Sequence, residues 1–133
     1  MSDDSVGVVR EIYEAFGRGD LAGIQARVSE TARWDFAVAA SDVPWHAPAT
    51  GHDEIARFLT TFAEQVTVQA FEPRRFLPSG ADVFVDVHVA YTIKKTGRRV
   101  EQDQLVWWTV TDGKVTRLRH FEDTAQVLAA WRG

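Results

Sequence analysis

From residue 83 to residue 94 the chain alternates with a period of two: Val83, Val85, Val87, Val89, Tyr91 and Ile93 interleave with Phe84, Asp86, His88, Ala90, Thr92 and Lys94. This run constrains the fold more tightly than any other, because successive strand residues face opposite ways and a slip of one position would turn the whole apolar set to water. It reads as a long strand that buries one face. Thr96-Gly97 turns the chain into a second long strand, Arg99 to Val110, and the hairpin signal Asp112-Gly113 leads into a third, Lys114 to Glu122. Residues 66–77 supply another strand, which Pro73 places at an edge or a bend.

Helical spacing dominates the first half. Val8, Val9, Ile12, Tyr13 and Phe16 predict an amphipathic helix over residues 5–17, closed by Gly19, and Asp20 can cap a second helix from Leu21 to Val28. A short strand is expected around Arg33–Ala39, then a loop from Ser41 to Gly51. A third helix begins near His52, with Asp53 and Glu54 at its positive end and an apolar stripe of Ile55, Phe58, Leu59 and Phe62. Asp123-Thr124-Ala125-Gln126 has the form of a capping box opening a last helix through Trp131. Helices first and an antiparallel meander after them describe an α+β domain with helices on one face of a curved sheet, and residues 1–133 read as a single domain.

The charge balance narrows the partners. A net charge of -4 argues against nucleic acid, and the pairs Arg74-Arg75, Lys94-Lys95 and Arg98-Arg99 read as solvated strand ends and turns. The chain has no cysteine, which excludes disulfides, thiolate metal sites and a thiol nucleophile. The start, Met1-Ser2-Asp3-Asp4, is acidic and unlike a signal peptide, and no apolar run approaches the roughly 20 residues that span a bilayer, so no membrane partner and a cytoplasmic location are expected. Five Trp and eight Phe are many for 133 residues, and such rings line pockets as well as cores.

Three stretches carry a family resemblance: Ile12-Tyr13-Glu14-Ala15-Phe16 with Gly19-Asp20-Leu21; Gly51-His52-Asp53-Glu54-Ile55 before Phe58; and Asp112-Gly113-Lys114-Val115 before Arg117-Leu118-Arg119-His120-Phe121-Glu122-Asp123. In order and spacing the chain resembles SnoaL-like and ketosteroid-isomerase-like proteins of the nuclear transport factor 2-like superfamily, from about residue 6 to 131. The resemblance implies a cone-shaped, cystatin-like fold: a curved antiparallel (mixed) sheet wrapped around helices. It does not imply one activity, since this fold hosts isomerases, cyclases, dehydratases, epoxide hydrolases and members without known chemistry. Ketosteroid isomerase uses a carboxylate base with a Tyr and a protonated Asp as oxyanion hole. Matched residue by residue, the base position holds Phe36, the protonated-acid position holds Val106, and the Tyr position falls on Ile12 or, with a slip of one, on Tyr13. Steroid isomerisation by that mechanism is not expected.

Strand parity proposes the lining of a pocket. Val85, Val87, Val89 and Tyr91 face inward; on the next strand the choice lies between Gln102, Gln104, Val106, Trp108 and Val110 and the alternate set from Glu101 to Thr109. The first set is less charged and matches the concave face of the resembling family. The same matching turns Leu118, His120 and Glu122 inward. Trp34, Phe36 and Val38 would close the floor, Phe58 and Phe62 one wall, with Trp45 and His46 at the mouth. A small apolar ligand is the partner such a pocket implies. His120 and Glu122, two apart on one strand face, are the candidate proton shuttle and its orienter, with Tyr13 and Gln104 as polar anchors. Neither a metal nor a cofactor is expected, since His46 and His52 lack a carboxylate at ligand spacing. Asp35 should face outward, and Asp123 reads as a helix cap. Two functions stay open: a cofactor-free isomerase, cyclase or dehydratase, or a non-catalytic binding or dimeric interaction domain. On the convex face Phe84, Leu105, Trp107 and Phe121 sit among charges, a mix that suits a homodimer interface.

Overall fold

The computed structural model describes residues 2–133, with side chains from Ser5 onward, so the acidic start at Met1–Asp4 lies outside the described side chains. Helix α1 (Ser2–Gly17) ends where Gly19 takes φ 67° and the Asp20 amide donates back to the Ala15 carbonyl at 2.8 Å, a Schellman-type closure. Asp20 then caps α2 (Leu21–Ala26) by accepting from the Gly23 amide. The second helix is shorter than expected, because Val28 already begins β1 (Val28–Phe36). The expected loop holds a turn of 3-10 helix at Pro44–His46 and a two-residue strand β2 (Ala49–Thr50). Helix α3 (Gly51–Gln65) follows, then strands β3 (Val66–Ser79), β4 (Asp82–Ile93), β5 (Arg99–Thr111) and β6 (Lys114–Phe121), and helix α4 (Thr124–Arg132).

The strands form one six-stranded sheet in the order β2-β1-β6-β5-β4-β3, so β3 is an edge, and its ladder shifts register between Pro73 and Arg75, as the proline demands. From β3 to β6 neighbours are antiparallel; β1 runs parallel to β6, which makes the sheet mixed. The β5–β6 turn places Asp112 at φ 52° and Gly113 at φ 77°, the left-handed pair that a tight hairpin of matching twist requires. At the start of α4 the capping box is only half made. Asp123 accepts from the Gln126 amide, but Gln102 instead of Gln126 accepts from the Asp123 amide.

The result is an unclosed α+β cone. Its core joins Val9 and Ile12 of α1, Ile55 of α3, the inward faces of β4 and β5, and Val127 and Trp131 of α4. Among the described residues no helix is long and apolar enough to cross a membrane.

Candidate functional site

Register decides what meets inside the cone. Val85 lies opposite Val106 and Val87 opposite Gln104 across β4–β5; Val106 lies opposite His120 across β5–β6; Trp34 and Phe36 lie beside Leu118 and His120 across β1–β6. Because these pairs share one sheet face, the concave side carries Gln104, Val106, Trp108, Leu118 and His120 together. Helices α1 and α3 close over them with Tyr13, Phe58 and Phe62.

They enclose a cavity of about 110 Å³, against roughly 10–15 Å³ for one water, so the space suits a molecule of several heavy atoms. Edge-to-face contacts set its walls: Trp108 against Tyr13 at 5.4 Å, Trp34 against Trp108 at 5.8 Å, and Trp45 against Phe62 at 5.3 Å between ring centres. Apart from Tyr13, Tyr91, Gln104, His120, Glu122 and the indole N–H groups, the lining is apolar.

The polar groups are few and tightly arranged. The Trp108 indole donates to the Tyr13 hydroxyl oxygen at 3.1 Å, and the hydroxyl proton itself has no acceptor among the described residues. Burial pushes the Tyr13 phenol up, against a weaker opposing pull from Trp108, so the group stays neutral and remains a donor. Tyr91 is raised too, first by burial and then by the Glu122 charge. Glu122 occupies the centre. Its Oε2 pairs with His46 Nε2 at 2.7 Å; its Oε1 accepts from Gln104 Nε2 at 3.3 Å and lies 3.3 Å from His120 Nε2. That last approach is within attraction but off the line of a hydrogen bond, which leaves His120 Nε2 buried without a bonded partner. Burial alone would push the Glu122 carboxyl up; the two imidazoles outweigh it and hold the group at about 2. Glu122 is therefore an ionised carboxylate at neutral pH, with only 2% of its side chain exposed.

His120, Glu122, Tyr13, Trp34, Phe36, Trp45, Phe58, Phe62, Val89, Tyr91, Gln104, Val106, Trp108 and Leu118 all border the cavity. His46 does not. Expected in a loop at the mouth, it is 4% exposed behind the Phe36 ring, with Nδ1 on Ser41 Oγ at 2.7 Å and Nε2 on Glu122. The reason is charge: a buried carboxylate must be paired, and the 3-10 turn at Pro44–His46 swings the imidazole in to do it. Trp45 is also drawn inward, 2% exposed between Phe62 and Trp131, so neither residue forms a mouth. Val38 lies beyond the end of β1 and is not part of the floor. The most open residue of the lining is Val68 on the edge strand β3, at 46% exposure.

Parity could not find the β3 part of the wall. Val68, Ala70 and Phe71 line the cavity together, and Phe71 packs on Phe16 at 4.8 Å, because the ladder shifts between Val68 and Ala70 and breaks the alternation. His52 takes no part: its Nε2 donates to the Val28 carbonyl at 2.7 Å. Asp35 faces out toward Arg33 and Arg117. Among the described residues no three His, Asp or Glu side chains are grouped to hold a metal ion.

On the convex face Phe84 stacks on Trp107 at 5.2 Å, and Arg119 lies over the Trp107 ring at 4.8 Å and over the Phe121 ring at 5.7 Å. Leu105 beside them is 43% exposed. At the far end of the same face, His88 is held between Asp103 at 2.7 Å and Glu101 at 3.1 Å.

The comparisons with known proteins agree with this architecture. The SnoaL-like domain matches residues 9–118. An NTF2-like protein from Burkholderia xenovorans is 29% identical, with 98% of this chain and 97% of that one covered and a TM-score of 0.89. An NTF2-like protein from Burkholderia pseudomallei is 26% identical over 96% of each chain, with a TM-score of 0.85. TerC, co-crystallised with polyporic acid, is 22% identical over 98% of this chain and 99% of its own, with a TM-score of 0.86. No curated protein matches in sequence. With the domain matched over most of its length and the cone reproduced in solved relatives, the chain belongs to the SnoaL-like domain family of the NTF2-like superfamily.

Proposed function

We propose that this SnoaL-like domain takes a small apolar molecule into the cone and performs cofactor-free acid–base chemistry on it, an isomerisation, cyclisation or dehydration. His120 is the proton shuttle, Glu122 its orienter, and Tyr13 and Gln104 the polar anchors. One observation carries the reading: a cavity-lining imidazole stands 3.3 Å from a buried, ionised carboxylate that it does not share with solvent. Such a carboxylate stabilises the imidazolium formed when the ring takes a proton, and positioned general bases of this kind contribute roughly 10²–10⁴-fold. The aromatic walls supply apolar affinity, and the neutral Tyr13 hydroxyl offers a hydrogen bond to an oxygen on the ligand. The relative crystallised with polyporic acid supports a fold able to hold a small organic molecule.

The test is turnover. A molecule co-purified with the protein and identified by mass spectrometry is offered to wild type and to His120→Ala. A loss of about 10²-fold or more in rate is expected; unchanged turnover would overturn the mechanism. Saturable binding without product would favour the second reading, a non-catalytic binding domain, which the loss of the isomerase groups at Phe36 and Val106 supports.

A homodimer through the convex face accompanies either reading. Phe84, Leu105, Trp107 and Phe121 form an apolar strip with Arg117 and Arg119 toward one side and Glu101 and Asp103 toward the other, so a two-fold axis sets base against acid. Light scattering should give twice the chain mass, and Leu105→Glu should return a monomer; a monomeric wild type would refute the interface.

A further inference from the structure

The His46 ring does not border the cavity but bonds to Glu122, which does, and its side-chain hydrogen bonds continue in series into the loop that carries it. The Val43 amide donates to Ser41 Oγ at 3.0 Å, and Ser41 Oγ lies 2.7 Å from His46 Nδ1. His46 Nε2 lies 2.7 Å from Glu122 Oε2. An ionised carboxylate only accepts, so His46 must carry a proton on Nε2. A neutral imidazole has one N–H, which leaves Nδ1 as the acceptor for the Ser41 hydroxyl. The Ser41 oxygen, already receiving the Val43 amide, is free to donate. Every donor in the series thus has an acceptor, and each direction follows from its neighbour.

The same carboxylate faces the second imidazole. His120 Nε2 is buried and stands 3.3 Å from Glu122 Oε1. A lone pair on that nitrogen would confront a negative oxygen across a water-free gap, whereas an N–H would be attracted to it. Among the described residues Nδ1 has no hydrogen-bond partner, and unlike Nε2 it is not fully buried. Glu122 can do this only while it is held ionised and in place, and the partners that hold it are His46 on Oε2 and Gln104 on Oε1.

We infer that Ser41 and His46 are positioning residues for the cavity: through Glu122 they keep His120 in the tautomer that carries its proton on Nε2 and presents Nδ1 as the open basic nitrogen. This rests on the proton role proposed for His120, and it assigns that role to one ring atom. It also explains why a histidine behind the cavity wall is buried with both nitrogens engaged. His46 works as an anchor that stops the carboxylate turning away, and the Ser41 hydroxyl, donating to Nδ1, holds the His46 ring in place.

Nitrogen-15 NMR of imidazole-labelled protein tests this without any substrate. In wild type at alkaline pH, His46 and His120 should each show a single neutral tautomer protonated on Nε2. His46→Leu should leave His120 as a mixture of both tautomers, and His46→Gln, whose amide N–H can still reach Glu122, should restore one. Ser41→Ala should shift the His46 signals and produce a smaller mixture at His120, and Ser41→Thr should reverse both; this pair decides the matter if His46→Leu does not fold. A wild-type His120 protonated on Nδ1, or an unchanged His120 spectrum in folded His46→Leu or Ser41→Ala protein, would overturn the inference. Failure of His120→Ala to alter turnover would sink the catalytic role alone, because the tautomer is read from the free protein.

Discussion

Two histidine–carboxylate clusters sit on opposite faces of the same sheet with inverted stoichiometry. On the concave side one carboxylate, Glu122, serves two imidazoles, His46 and His120. On the convex side one imidazole, His88, serves two carboxylates, Asp103 and Glu101. The shortest contact in each is 2.7 Å. What differs is water. Glu122 has 2% of its side chain exposed, whereas Asp103 has 64% and Glu101 49%. A desolvated charge is costly to orphan and so dictates the protons and positions of its neighbours, while an exposed one is screened and replaceable. Imidazoles and carboxylates at near-identical distances therefore make a candidate reactive centre on one face and a surface network on the other.

The largest expected effect breaks the buried cluster. Glu122→Ala strands His46 and Gln104 in the interior and should cost about 3–5 kcal/mol in denaturant unfolding. His88→Ala, measured the same way, should lower stability far less, because its carboxylate partners stay solvated. Comparable losses at both sites would refute the contrast.

The pH dependence comes next, and its sign differs between the faces. Glu122 is held at about 2, below the roughly 4.3 of an unfolded glutamate, so its stabilisation is present above that unfolded value and is lost as pH falls toward 2. His88 is raised, first by its hydrogen bond to Asp103, with desolvation opposing and Glu101 adding to the rise. Its contribution is present below about 6.5 and is lost as pH rises through the higher folded value. Unfolding curves across pH should lose the acid-side slope in Glu122→Gln and only the weaker, higher-pH slope in His88→Ala.

A smaller effect probes the polar anchor on the concave wall. Trp108→Phe removes the donor to Tyr13 and should cost about 1 kcal/mol in stability beyond its change in packing. It also leaves the Tyr13 hydroxyl freer to turn, which an altered tyrosine emission would report; an unchanged protein would mean the bond is not formed in solution. Smallest of all is salt. Raising ionic strength well above 0.15 M, where the Debye length is already about 8 Å, should lower the titration midpoint of His88 while leaving the Glu122 step in place.

Much of this molecule is legible in its residues because the signals are local. The alternation from Val83 to Ile93 orients β4, Asp112-Gly113 imposes a turn with two positive φ angles, and Asp20 and Asp123 accept from the first turns of their helices. Placing Gln104, Trp108, Leu118 and His120 on one concave face took more: the lower charge of one β5 set and the match to the resembling family. Where the alternation breaks, the reading breaks with it: the register shifts in β3 hid Val68, Ala70 and Phe71 from parity.

The sequence by itself thus determined the sheet's two faces, because a strand's side chains follow the period of its own backbone. Only the tertiary structure decided what those faces meet. His46 reaches Glu122 across 76 positions, and Trp108 reaches Tyr13 across 95. Neither pairing has a local signature: His46 meets Glu122 because β1 settles parallel beside β6 and a buried charge draws in the imidazole of the following loop, and Tyr13 meets Trp108 because α1 packs against β5.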